Sequence, residues 1–99
     1  MSNTFQTKVS EIEIIPVKSK GGLIGFASFV LDKKYYVSSV AIFTKINGSG
    51  YRLSYPAKKI GEKSINFFHP ITKEAGESIE KAVTNKFIEL FNAPSVYEQ

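Results

Sequence analysis

Only one imidazole occurs in the 99 residues, His69, so acid–base or nucleophilic catalysis would need a hydroxyl and a carboxylate drawn to it from elsewhere in the chain. The single aspartate, Asp32, falls in Leu31-Asp32-Lys33-Lys34, which reads as a turn. Ser38 and Ser39 fall inside a strand-like run, without the strand-to-helix turn that exposes a nucleophilic serine, so a hydrolase triad has little support. Glu11 and Glu13 share one strand face and have the residue types of an acid and base pair. Adjacent carboxylates on an exposed strand serve more simply as a solvated edge. Gly48-Ser49-Gly50 imitates a phosphate cradle, but it leads into a strand, with no helix N-terminus behind it to receive an anion. The absence of cysteine excludes disulfides and thiolate sites, and one histidine leaves too few ligands for an ordinary zinc centre. No metal, cofactor or small-molecule substrate is expected, and the chain is not expected to be an enzyme.

The basic side chains are more informative. Arg52, Lys58, Lys59 and Lys63 lie close together, interleaved with Tyr51 and Tyr55, at the end of one strand and in the polar segment after it. Cations so placed can neutralise phosphates with release of counterions, and an exposed tyrosine can stack on an unpaired base. The plainer reading is a solvated surface loop. Residues 1–63 carry ten basic against four acidic side chains, and residues 64–99 three against five, so the net charge of +4 is concentrated in the first part. That asymmetry points to a polyanionic partner, either nucleic acid or an acidic protein surface. With no basic recognition helix, phosphate contacts should dominate and sequence discrimination should be modest.

These residues are positioned by a short series of strands. Val9 to Lys18 alternates apolar and charged residues, and Pro16, which cannot donate to a ladder, marks it as an outer strand or the site of a face-swapping bulge. Ser19-Lys20-Gly21-Gly22 turns the chain into Leu23–Leu31, and Asp32-Lys33-Lys34 turns it into Tyr35–Thr44, so these two runs should form a hairpin. Asn47-Gly48 supplies the positive φ values of a further tight turn before Tyr51–Tyr55. Pro56–Ser64 reads as a loop and Ile65–Phe68 as a short fifth strand. Thr72 stands where an N-cap belongs and Glu74 in the first turn. Ile79, Ala82, Val83, Phe87, Leu90 and Phe91 then recur at helical spacing until Asn92 and Pro94 end the helix. The expected fold is α+β: an antiparallel β-meander of about five strands followed by one long C-terminal helix packed on the sheet. It forms a single domain over 1–99, with its core in 9–91 and loose ends at 1–7 and 93–99.

Strict alternation puts Leu23, Ala27, Phe29 and Leu31 on one face of the second strand, with Ile24, Phe26 and Val30 on the other. It likewise sets Tyr35, Val37, Ala41 and Phe43 against Tyr36, Val40 and Ile42 in the third. Both faces are then apolar, and one helix cannot cover both. A homodimer formed through the second face or an open edge would bury the remainder; the alternative is that loops and the tail cover it. No apolar run reaches the roughly 20 residues of a membrane span. The first residues also lack a signal-peptide pattern, so no membrane association and a cytoplasmic location are expected.

The order of residues also resembles the SpoVG family of stage V sporulation protein G and septation regulators. Ala27-Ser28-Phe29-Val30-Leu31-Asp32, Tyr36-Val37 and Val40-Ala41-Ile42 resemble that family's second and third strands. Gly50-Tyr51-Arg52-Leu53 and Tyr55-Pro56-Ala57-Lys58-Lys59 resemble its glycine, strand and Pro-Ser-Lys-Arg loop. His69-Pro70-Ile71 is similar to its junction before the helix, and Ile79-Glu80-Lys81-Ala82-Val83 to its helical motif. The similarity covers roughly residues 9 to 91 and rests on order and spacing rather than on any one piece. It implies a dimeric α+β regulator that binds DNA, and in some members RNA, with Lys58 and Lys59 as the carried-over nucleic-acid candidates. Arg52 and Lys63 are added by the charge argument alone. Phe67-Phe68 replaces a smaller pair, Ala57 a serine, and Gly76 a common arginine, which weakens the expected helix contribution. The competing expectation is a non-catalytic protein-interaction module in cell-division regulation, whose basic loop meets an acidic partner.

Overall fold

The computed structural model describes residues 6–46 and 50–91. Strands β1 (Val9–Lys20), β2 (Leu23–Leu31), β3 (Tyr35–Thr44) and β4 (Tyr51–Ser54) form one antiparallel sheet in sequence order. Strands β5 (Ala57–Ile60) and β6 (Lys63–Asn66) form a separate two-stranded sheet, and helix α1 (Lys73–Phe91) follows. The α+β meander with one packed C-terminal helix is thus the observed fold.

The turns follow from local chemistry. Gly21 and Gly22 both take positive φ, 62° and 89°, as a tight hairpin requires. Asp32 and Lys33 do so without being glycines, at 51° and 58°. The Asp32 site is held from outside: its backbone N–H donates to the Lys8 carbonyl at 2.8 Å, and its Oδ1 accepts the Lys8 N–H at 3.0 Å. The one aspartate therefore ties the entry of β1 to the β2–β3 turn. Pro16 lies in β1, which is an outer strand, as its missing N–H demands. The expected Asn47-Gly48 turn lies outside the described residues, as do Asn92, Pro94 and the tail after them.

Strict alternation fails at bulges. Between the pairs Ala27↔Val40 and Phe29↔Val37, two steps along β2 match three along β3. The extra residue sits at Ser38-Ser39, where Ser39 adopts φ 64°. Val37, Val40 and Ile42 consequently share the helix-facing side, which corrects the opposition of Val37 to Val40 and Ile42 expected from a period of two. A second shift between Leu23 and Gly25 turns Ile24 toward the core, again against the simple alternation. In β1 a shift between Ser10 and Glu13, with Glu11 at φ 51°, lets Val9, Ile12 and Ile14 all reach the core.

Helix α1 starts on Thr72, whose Oγ1 accepts the Ala75 N–H at 3.1 Å, as an N-cap does. Glu74 in its first turn accepts the Thr7 N–H and hydroxyl, both at 2.9 Å, and the Ser78 hydroxyl at 2.7 Å. These bonds, that from Ser78 foremost, hold its carboxyl below the usual range. Ile79, Val83 and Phe87 recur every fourth residue and close the core over Ala27, Phe29, Leu31, Val37, Val40 and Ile42. Leu90 and Phe91, expected in that stripe, are exposed.

Among the described residues the sheet face away from the helix stays open. The cross-strand row Ile15↔Phe26↔Ala41 lies on it, with Ile15 67% exposed and none of the described elements packed over it.

Candidate nucleic-acid interface

Pro56–Ser64, expected as a loop, is instead a β-hairpin arm. Ala57, Lys58, Lys59 and Ile60 pair with Asn66, Ile65, Ser64 and Lys63, and Gly61-Glu62 forms the two-residue turn, Gly61 taking φ 63°. The expected fifth strand at 65–68 is displaced to 63–66 and pairs with β5 rather than extending the meander. The arm does not pack extensively on the sheet or on α1, and all eight of its strand residues are exposed. Its root is fixed by the Phe67 N–H donating to the Pro56 carbonyl at 2.9 Å and by Phe68 packing beside Tyr55, ring centroids 5.7 Å apart.

Pairing decides which lysines act together. Directly opposed residues share a face, so Lys58, Ile60, Lys63 and Ile65 lie on one face of the ribbon, and Ala57, Lys59, Ser64 and Asn66 on the other. Lys58 and Lys63 are brought together, whereas Lys59 is turned away from both. Arg52 stands apart on β4, its guanidinium 4.5 Å from the centre of the Phe43 ring opposite it. The ion pairs of the described residues, Lys73–Glu77 and Lys86–Glu89, both lie on the helix. None engages Arg52 or the three arm lysines.

The tyrosines expected among these cations face elsewhere. Tyr51 packs on Phe87 with ring centroids 5.2 Å apart, and Tyr55 packs against the core. Burial, with Glu80 as a lesser influence, pushes the Tyr55 hydroxyl up to about 12. Because the folded value exceeds the unfolded one, Tyr55 favours the native state fully below pH 10, and this contribution is lost as the pH rises toward 12. In an alkaline titration followed by phenolate absorbance, Tyr55 is expected to ionise last, and Tyr55→Phe to remove that final step. An unchanged curve would place the raised group elsewhere.

Among the described residues the most exposed aromatic rings are Tyr35, Tyr36 and Phe67, none of which the charge argument draws on. Tyr35 and Tyr36 open β3 directly after the Lys33-Lys34 turn, as expected. His69 is exposed, with Nδ1 3.2 Å from the Pro70 carbonyl oxygen. Among the described residues no cluster of three metal-ligating side chains occurs, and no helix is long and apolar enough to cross a membrane.

No curated protein matches the chain in sequence. Residues 7–89, which span every strand and nearly all of α1, match the SpoVG family. The chain therefore belongs to the SpoVG family of sporulation- and septation-related, non-catalytic regulators.

Proposed function

We propose that this chain is a nucleic-acid-binding regulatory protein, acting on DNA or RNA as a homodimer, and that it contacts phosphates through the β5–β6 arm. The observation that carries this reading is the arm itself: a ribbon standing off the core with Lys58, Lys59 and Lys63 exposed and in no ion pair of the described residues. A free two-stranded ribbon is only marginally stable in water, so an arm of this kind gains order from what it binds. Its width suits a nucleic-acid groove, since the major groove of duplex DNA admits a two-stranded β-ribbon. Arg52 adds charge from the sheet at a separate position. The uncovered row at Ile15 and Phe26 supports self-association, because exposed apolar patches on small proteins mark contact surfaces.

Fluorescence anisotropy titrations of short duplex DNA, single-stranded DNA and matched RNA at several salt concentrations test the reading, alongside sedimentation velocity for the dimer. Binding should fall steeply with salt, and Lys58→Ala/Lys59→Ala/Lys63→Ala should remove most of it while leaving the fold intact. A wild-type protein that binds none of the three at low salt would sink the proposal and favour an acidic protein partner.

A further inference from the structure

We propose that the cleft at the root of the β5–β6 arm holds an unstacked base, so that the preferred ligand is a single-stranded nucleic acid. This rests on the phosphate-binding reading of the arm and adds to it the class of strand.

The cleft has a volume of about 540 Å³, within the roughly 300–1,000 Å³ of small-molecule sites. The β3 wall carries Tyr35, Tyr36, Ser38 and Ser39, and Pro56, Phe67 and Phe68 line the cleft from the arm's root. Its three exposed rings are far from buried: Tyr35 is 62% exposed, Tyr36 69% and Phe67 67%. The wall exists because β4 pairs with β3 only over Ala41–Thr44, which leaves the Tyr35–Val40 half of β3 uncovered on that side. Phe67 is held in place by its backbone bond to Pro56, so its ring is presented without being packed into the core.

Charge decides the occupant. Lysines adjoin the lining along the chain: Lys33 and Lys34 precede Tyr35, and the arm that carries Lys58, Lys59 and Lys63 runs between Pro56 and Phe67. Of the carboxylates around it, Asp32 is bonded to the Lys8 N–H and Glu62 sits at the arm's far tip, while Glu13 shares an adjoining hollow with Tyr36, Ser38 and Ser39. An apolar, ring-walled cleft whose lining adjoins lysines suits a polyanion that carries flat apolar groups. In a duplex those faces are already stacked on their neighbours, whereas in a single strand they are free to stack on aromatic side chains. The serine hydroxyls can donate to or accept from a base edge, and the exposed rings supply contact that does not depend on base identity.

The test uses the full chain and three polyanions: a short single strand carrying a fluorescent adenine analogue, the duplex of the same sequence, and inorganic polyphosphate, which has charge but no bases. Wild type should change the analogue's fluorescence. Tyr35→Ala/Phe67→Ala should abolish that change and weaken single-strand binding by roughly tenfold or more, with duplex and polyphosphate binding and the salt slope unchanged. Lys58→Ala/Lys63→Ala should instead weaken all three and lower the slope. Phe67→Leu, which keeps apolar bulk without a ring, should lose the fluorescence change as well and serves if the double variant does not fold. Equal weakening of all three polyanions by the ring variants, or single-strand binding as in wild type, overturns the base site while leaving the arm's role standing. A ring variant that sediments as a smaller species overturns it too, and assigns the cleft to contact between copies of the chain. Failure of wild type to bind any of the three overturns the underlying reading itself.

Discussion

Val40→Ala/Ile42→Ala is expected to abolish the cooperative thermal unfolding transition of the chain. Side chains alternate strictly along a strand, so Val37 and Val40, three positions apart, can share a face only if an extra residue intervenes. Ser38-Ser39 supplies it. Deleting Ser39 would restore the ordinary two-residue spacing and keep all three on the core side, so the large loss comes from truncating the buried side chains themselves. Each large apolar side chain removed from the core costs about 1.5–3 kcal/mol. Losing Val40 and Ile42, both fully buried, therefore removes a sum comparable with the roughly 5 kcal/mol at the lower end of domain stabilities, where a chain this short belongs. Ser39→Gly is the contrasting variant. A residue at φ 64° pays roughly 1–2 kcal/mol for its left-handed conformation, which glycine avoids at an unfolded-state entropy cost of about 0.5–1 kcal/mol. That change should be neutral or slightly stabilising in the same melt. A double alanine variant that melts like wild type would show that Val40 and Ile42 do not share the core face of β3.

The bulge also explains which parts of the fold were legible in the sequence. Gly21-Gly22, Asp32-Lys33, Pro16 and the Thr72 cap are signals carried by residues that act on their own backbone, and each led to the right turn, edge or helix start. Ser39 and Glu11 hold positive φ with no glycine, asparagine or aspartate to mark them. Their conformation is imposed by the register of neighbouring strands and the need to bury Val40 and Ile42, a tertiary constraint with no local signature. One missed residue then inverts the assigned faces from Val40 onward.

The candidate site shows the same division. The cationic segment was visible as composition, and its lysines are indeed exposed. Its shape was not, because Lys58, Ile60, Lys63 and Ile65 alternate over too short a span, and Gly61-Glu62 is a less marked turn than Asn-Gly. The tyrosines beside the cations in sequence turn toward the core instead of toward solvent. Tyr51 and Leu53 belong to the helix-facing side of β4 and Tyr55 anchors the arm's root, so sequence proximity to lysine said nothing about which way the rings point. Of the three rings that are free to meet a ligand, Tyr35 and Tyr36 come from β3, more than twenty residues away in the chain from the arm, and Phe67 directly follows β6.

From the arm's geometry, Lys58→Ala/Lys63→Ala is expected to weaken duplex DNA binding by roughly sixtyfold at 0.1 M salt, while Lys59→Ala alone changes it little. Each lysine–phosphate contact on a duplex contributes about 0.9 to the slope of log affinity against log salt, which at 0.1 M is about eightfold per contact. A ribbon lying against a nucleic-acid backbone presents one face. Lys58 and Lys63 share a face with Ile60 and Ile65, whose exposed side chains gain by covering sugar edges or thymine methyls, whereas the opposite face offers Lys59 with alanine, serine and asparagine. The paired variant should therefore lower the slope by about 1.8 on duplex and about 1.4 on single strands, and Lys59→Ala should leave it nearly unchanged. Both variants alter exposed positions of an arm that packs on nothing else extensively, so their melting temperatures should match wild type and losses can be read as binding. If Lys59→Ala proved the more damaging, the ribbon would lie on its ligand by the other face, and Ile60 and Ile65 would point away from nucleic acid toward a protein partner.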